Sequence, residues 1–154
     1  MSLALVTGGA GFIGSHLVER LVSKGHSVRV LDDFSSGKLE NLAELDCGEL
    51  NSGKSVEIVR SCITDPDRVP SAMRGVDWVV HLAAQVSVPR SIEDPRESYR
   101  INVDGTLNIV DSARIAGAQR VVFAASSAAY GDNKEMPLRE EFMPRPLSPY
   151  ASGK

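Results

Sequence analysis

Near its end the chain reads Tyr150-Ala151-Ser152-Gly153-Lys154, which sets a phenol and an ammonium four residues apart, a spacing that puts both on one face of a helix. A tyrosine of pKa about 10 is a poor base at neutral pH, and bringing it near 7 takes roughly 4 kcal/mol of preference for the phenolate. One unit charge about 4 Å away at an effective dielectric near 20 contributes about that much. The same pair on a plain surface helix does no chemistry, so its meaning depends on what lies upstream. There, Thr7-Gly8-Gly9-Ala10-Gly11-Phe12-Ile13-Gly14 carries Gly9, Gly11 and Gly14 at the GxGxxG spacing and Gly8, Gly11 and Gly14 at GxxGxxG. Either spacing serves a tight turn, a backbone that approaches a pyrophosphate without Cβ interference, and a helix mouth whose free N–H groups face the phosphates. Asp32 follows 18 residues beyond Gly14, where a carboxylate accepts the ribose hydroxyls of a dinucleotide. A carboxylate there repels a 2′-phosphate, and no arginine neighbours it in the sequence, so the expected cofactor is NAD rather than NADP. The positive nicotinamide ring would add to the pull on the phenol.

These residues need elements to hold them. Apolar runs of about five residues alternate with longer amphipathic segments, the pattern of βαβ units that build a parallel sheet. Strands are expected at Leu3 to Thr7, Ser27 to Leu31, Val56 to Val59, Val76 to Val80 and Val121 to Phe123. A helix is expected from Phe12 to Lys24, because Ile13, Leu17, Val18 and Leu21 share a face and Gly25 stands where a glycine ends a helix. Between Asp32 and Lys54 a polar stretch holds at most one short helix, around Leu39 to Leu45. Asp65-Pro66 is expected to cap a helix that runs to Arg74 with proline in its first position. Asp94-Pro95-Arg96-Glu97 has the spacing of a capping box and opens a long helix closed by Gly117. Four prolines from Met136 to Pro149 make that segment a loop.

Composition bounds the class. With 154 residues, 42% hydrophobic and 24% charged, the chain is expected to form one globular domain with its own core. The net charge is −3 and no basic run gathers, so neither nucleic acid nor an anionic membrane is an expected partner. Met1-Ser2-Leu3 opens directly into an apolar strand, without a signal-like segment or a run long enough to span a bilayer, which makes the expected location cytoplasmic. Cys47 and Cys62 lie far apart and outside any CxxC or His-rich setting, so free thiols and no metal site are expected.

The glycine loop, Asp32-Asp33-Phe34-Ser35-Ser36-Gly37, His81-Leu82-Ala83-Ala84, the run from Phe123 to Gly131, and Tyr150 to Lys154 together resemble the extended short-chain dehydrogenase/reductases. Within them the chain is similar to nucleotide-sugar 4-epimerases of the UDP-glucose/UDP-N-acetylglucosamine type, over the N-terminal portion only. The resemblance implies an α/β fold, a Rossmann-type doubly wound parallel sheet truncated before its final strands. Residues 1–154 would then be an incomplete NAD-binding domain without the substrate domain. It implies that Gly8, Gly11, Phe12, Ile13 and Gly14 line the pyrophosphate, that Asp32, Asp33, Phe34, Ser35, Ser36 and Gly37 hold the adenosine ribose, and that Leu82, Ala83 and Ala84 lie along the cofactor. Cys62 and Ile63 fall at the adenine, and Asn102 lies in the helix whose asparagine supports the site. Ser126 would donate to the sugar 4-oxygen, Tyr150 would be the base, and Lys154 would bind the nicotinamide ribose and tune the tyrosine.

The implied reaction is NAD-dependent epimerisation at C4 of a UDP-sugar through a transient 4-keto form. A dehydratase of this family has an Asp and a Glu directly after the active-site hydroxyl residue, where this chain has Ser127 and Ala128; a decarboxylase commonly has a Glu at the position of Ala128. Another family activity (dehydratase, decarboxylase or reductase) or an inactive NAD-binding fragment is the alternative. Ser87-Val88-Pro89-Arg90-Ser91-Ile92 is similar to epimerases of UDP-N-acetylhexosamines, in which Ser87, Ser126 and Ser127 would approach the sugar; UDP-glucose and UDP-galactose stay equally open. Two departures stand out. Cys62 replaces an aspartate that would accept from the adenine amino group, which weakens adenine recognition by about 1 kcal/mol. The family is also roughly twice this length, so the 154-residue chain alone is expected to be inactive. The helix over 95–116 is a candidate homodimer seam.

Overall fold

The computed structural model describes residues 2–154. In chain order the regular elements begin with β1 (Leu3–Thr7), α1 (Phe12–Ser23), β2 (Ser27–Asp32), a 3₁₀ turn (Leu39–Leu42), β3 (Cys47–Glu49), β4 (Val56–Arg60), α2 (Arg68–Met73) and β5 (Trp78–His81). They continue with α3 (Val88–Glu93), α4 (Pro95–Tyr99), a π-helical segment (Arg100–Gly105), α5 (Thr106–Ala116), β6 (Arg120–Phe123), a 3₁₀ turn (Ser127–Tyr130) and α6 (Pro149–Ser152). The chain divides into two compact units, one formed by the chain up to Ala83 with Gly105–Phe123, the other by Ala84–Asp104 with Ala124–Lys154.

The first unit holds the sheet. Six parallel strands lie in the order β3-β4-β2-β1-β5-β6, the Rossmann order with one short strand added at an edge. A parallel sheet is covered on both faces, so its central strands read as nearly continuous apolar runs. Ala4, Val6, Val28, Val30 and Val56 point one way and pack with Val18 and Leu21 of α1, with Ala10 and with Leu42. Leu5, Leu31 and Val59 have the opposite parity, and on that side α2 and α5 bury Val69, Met73, Ile109 and Ala113. Arg29 shares this parity, 5% exposed, and its position is explained by its partners. Nε and Nη2 donate to Glu57 Oε2 at 2.9 and 2.6 Å, and Nη1 donates to the carbonyls of Ala72 and Arg74 at 2.7 and 2.8 Å. The guanidinium thereby ties two paired strands to the end of α2.

The order in which successive strands are added reverses beside β1, because β2 pairs with one of its edges and β5 with the other. In open α/β sheets the crevice at the carboxyl ends of strands flanking such a reversal is the ligand site. Thr7 and His81, the last residues of β1 and β5, are partners in register there.

The second unit is helical and irregular. Asp94 caps α4 by accepting from the Glu97 amide at 3.0 Å with Pro95 in the first position, as expected; Gly117, which belongs to the first unit, ends α5 in the left-handed region at φ 76°. Between them the helix is not uniformly α, since Arg100–Gly105 forms a π-helical segment. Helix α3 lies outside the expected elements, as does β3, a three-residue Cys-Gly-Glu strand whose polar sequence carries no alternation.

Helix α2 begins at Arg68 rather than at Pro66. The Asp65 carboxylate accepts from the amides of Asp67 and Arg68 at 3.0 and 2.8 Å, which spends Pro66 on a turn before the helix. The fourth expected strand is shifted to Trp78–His81, because Val76 still bonds back to Met73 behind the turn at Gly75. Pro149 opens α6 instead of closing the loop before it. Among the described residues no helix is long and apolar enough to cross a membrane.

Candidate active site

In the first unit, the glycine turn is built by close approach. Gly8 takes φ 67°, and a Cβ there would lie 2.9 Å from the Ala83 nitrogen. A Cβ on Gly14 would run into the Gly8 carbonyl oxygen, so only glycine lets α1 start this near the turn. Gly11 is the N-cap residue of α1 and offers no side-chain cap, which leaves the first amides of α1 to a ligand or to water. Phe12 and Ile13, 79% and 69% exposed, stand at that mouth; Ile13, grouped by periodicity with the packed face of the helix, is not part of it.

Asp32 anchors the turn from β2. Its Oδ2 accepts from the Ala10 amide and its Oδ1 from the Phe34 amide, each at 2.9 Å, and the residue is 7% exposed. Each oxygen keeps a further lone pair, so the carboxylate can still accept from a diol. The Ala10 carbonyl receives the Lys38 amide at 3.0 Å and Asn41 Nδ2 at 2.7 Å, which folds the following loop back over the turn. Along that loop Asp33 Oδ1 accepts from the Ser35 amide at 2.8 Å, Asp33, Ser35 and Ser36 are exposed, and Gly37 is buried against Ala10 and Asp32.

No arginine neighbours Asp32 in sequence, but Arg60 is its register partner on β4, and the Arg60 guanidinium lies 4.5 Å over the Phe34 ring. A cation therefore stands beside the loop that follows Asp32, brought there by strand pairing. Phe34 and Arg60 also border an open cavity of about 1050 Å³ whose other walls include Leu39, Leu42, Cys47 and Ile58.

After β4, Cys62 Sγ accepts from Thr64 Oγ1 at 3.2 Å, and Ile63 is buried. Asn108 of α5, which sequence reasoning missed, donates from Nδ2 to the carbonyls of Ile63 and Asp65 at 2.9 and 3.1 Å and so fixes this turn. The amides of Leu82 and Ala83 both donate to Thr7 Oγ1, at 3.2 and 3.1 Å. The uncapped helix mouth, the turn without Cβ atoms and a diol-accepting carboxylate together fit the pyrophosphate and adenosine ribose of a dinucleotide.

The second unit carries the hydroxyl and amine groups. Ser148 caps α6 by accepting from the Ala151 amide at 3.1 Å, and the Tyr150 amide donates to Ser91 Oγ at 3.1 Å. Ser91 is fully buried and donates in turn to the Val88 carbonyl at 2.7 Å, so α3 holds the tyrosine's backbone in place. The α-helix ends at Ser152, and the Lys154 amide reaches Ala151 at 3.4 Å instead of Tyr150; the five-residue spacing is thus only partly α-helical. Lys154 is half-buried, and burial pushes its amine below the ordinary lysine value.

Asn102, in the π-helical segment, forms a two-way clamp: Oδ1 accepts from the Gln85 amide at 2.8 Å and Nδ2 donates to the Gln85 carbonyl at 3.0 Å. Asn102 also backs Gly153, where a Cβ would lie 3.2 Å from its own. It therefore braces the segment after Ala84 and the end of α6. Gln85 Oε1 is buried with no hydrogen-bond partner. Ser126 Oγ accepts from the Ala128 amide at 3.2 Å and caps the 3₁₀ turn that holds the exposed Ser127, and this turn packs on α6. Ser87 caps α3 by accepting from the Arg90 amide at 3.3 Å. The loop hydroxyl thus has a helix-capping task in addition to any contact with a sugar.

Sheet order, the reversal beside β1 and the glycine turn define a Rossmann-type α/β protein. The chain belongs to the family described as GDP-mannose 4,6 dehydratase, whose model it matches over residues 5–154. It is similar to the UDP-glucose 4-epimerase of Mycolicibacterium smegmatis, with 45% identity over 97% of this chain and 47% of that protein. Among solved structures it is similar to Thermus thermophilus UDP-glucose 4-epimerase in complex with NAD, with 41% identity, 99% of this chain and 47% of that one, and a TM-score of 0.86. It is also similar to UDP-N-acetylglucosamine 4-epimerase from Methanobrevibacter ruminantium in complex with UDP-N-acetylmuramic acid, with 36% identity, 99% and 46% coverage, and a TM-score of 0.87. The resemblance to nucleotide-sugar 4-epimerases and the fold expected from it are borne out. The chain spans about half the length of the curated relatives it matches.

Proposed function

We propose that this chain supplies the NAD-binding and proton-transfer part of a UDP-sugar 4-epimerase. The observation that carries the cofactor half is the Asp32 carboxylate, bonded to the Ala10 amide inside the glycine turn and the Phe34 amide beyond it, with a lone pair to spare on each oxygen. Gly8, Gly11 and Gly14 would let the pyrophosphate approach the first amides of α1, and Asp32 would accept from the ribose diol. Bound NAD would supply the redox chemistry, taking the hydrogen and electron pair from C4 of the sugar and giving them back. Tyr150 would take the proton of the 4-hydroxyl and return it, Ser126 would donate to the same oxygen, and Lys154 would hold the nicotinamide ribose.

Epimerisation is favoured over dehydration by the turn after Ser126. Residues 127 and 128 bring a hydroxyl and a methyl there, so neither supplies the carboxyl groups that loss of water across C5 and C6 requires. Ser87, Ser126 and Ser127 would face the sugar, with N-acetylated and plain hexoses both candidates. Exposed Leu107 and Val110 of α5 fit a homodimer seam, and a monomeric mass by light scattering would exclude one.

Calorimetry with the 154-residue chain tests the first half: NAD should bind more tightly than NADP. The reaction is tested on full-length protein with UDP-glucose, UDP-galactose and their N-acetyl forms, followed by the sugar's proton spectrum. Interconversion without net NADH is expected, and loss of water, release of carbon dioxide or accumulation of NADH would overturn it. The 154-residue chain assayed alone is expected to bind NAD without turnover.

A further inference from the structure

Behind the glycine turn lies a buried chain of side chains that the proposed reaction does not use. Thr7 Oγ1 is 2.6 Å from His81 Nδ1 and accepts the Leu82 and Ala83 amides at 3.2 and 3.1 Å. A threonine hydroxyl has one proton and two lone pairs. The Ala83 amide fills one lone pair and the Leu82 amide is shared between Oγ1 and the Thr7 carbonyl, each at 3.2 Å, so His81 Nδ1 is the one partner of this buried hydroxyl able to accept its proton. The ring proton then sits on Nε2, which lies 3.0 Å from Thr106 Oγ1 and donates to it. The imidazole is 1% exposed, with the Phe123 ring 5.7 Å away. An imidazolium would leave the Thr7 hydroxyl proton with no acceptor, so the neutral ring is the form that fits.

We propose that His81 is a positioning residue, a neutral imidazole fixed as its Nε2–H tautomer between Thr106 of α5 and Thr7 of β1. Through Thr7 it holds the Leu82 and Ala83 amides at the end of β5. Gly8 packs directly on that backbone, its Cβ position 2.9 Å from the Ala83 nitrogen, so any shift there passes into the glycine turn. The tautomer follows from where the Thr7 hydroxyl proton can go, whereas its effect on cofactor affinity rests on the NAD reading above.

The test uses the 154-residue chain with 15N-labelled histidine. Long-range proton–nitrogen spectra separate a protonated ring nitrogen from an acceptor, and His16→Gln and His26→Gln variants assign the three histidines by elimination. At neutral pH His81 should show an acceptor Nδ1 and a protonated Nε2. The opposite tautomer, or an imidazolium, overturns the proposal. Thr7→Ser keeps a hydroxyl and should preserve this pattern, whereas Thr7→Val should lose it and bind NAD about tenfold more weakly than Thr7→Ser. Equal NAD affinity in the two variants also overturns the positioning role. If Thr7→Val does not fold, the wild-type tautomer decides. Failure of the wild-type chain to bind NAD would count against the proposed function, and the ring spectrum would still decide the tautomer of His81.

Discussion

At the scale of single residues, Cys62 offers the most direct change. Its sulfur accepts a hydroxyl proton from Thr64 at 3.2 Å, and a thiol is a weaker acceptor than a carboxylate for that hydroxyl or for an adenine amino group. Cys62→Asp should therefore strengthen NAD binding by about 1 kcal/mol, roughly fivefold, by calorimetry; equal affinity would mean the position does not meet adenine. Lys154 carries a pH signature. Burial lowers its pKa in the folded chain below the ordinary 10.5, so between the two values the unfolded chain binds more protons. Stability should rise with pH through that alkaline window. Urea midpoints of the wild type should show this rise relative to Lys154→Met, and parallel curves would show that the amine is not held in a poorly solvated place.

At the scale of elements, the pairing of β2 with β4 does two jobs. It seats Arg29 beside Glu57 within the sheet face that α2 covers, and it sets Arg60 opposite Asp32 at the carboxyl end. A buried pair deprived of one partner leaves an uncompensated charge, so Arg29→Met should cost about 3–5 kcal/mol in urea unfolding. The double variant Arg29→Met, Glu57→Met should recover most of that loss, and additive losses would show that the carbonyls of Ala72 and Arg74 are the partners that matter. The π-helical segment has a comparable bracing task, because it carries the Asn102 that clamps Gln85 and backs Gly153. A polar residue inside an expected long helix does not reveal that clamp, since its partner lies 17 positions away.

At the scale of the whole molecule, a ligand that binds the folded chain and not the unfolded one stabilises it by mass action. NAD at about one hundred times its dissociation constant should add roughly 3 kcal/mol and raise the melting temperature by on the order of several degrees, by scanning fluorimetry. NADP at the same concentration should add less, and an equal shift would mean that Arg60 outweighs the repulsion from Asp32. What the sequence determined by itself was local and periodic. The glycine spacing, the acidic end of β2, the strands on either side and the Asp94 cap each depend on neighbours within a few residues or on alternation along one element. What only the tertiary structure decided is which distant groups meet. Arg60 reaches Phe34, Asn108 holds the turn at Ile63, and His81 meets Thr7 across 74 positions because parallel strands and a helix packed on them place residues side by side that no local pattern links. Short elements such as β3 and α3 were also settled at that level, since a run of three to six residues gains its stability from what it packs against rather than from its own propensity.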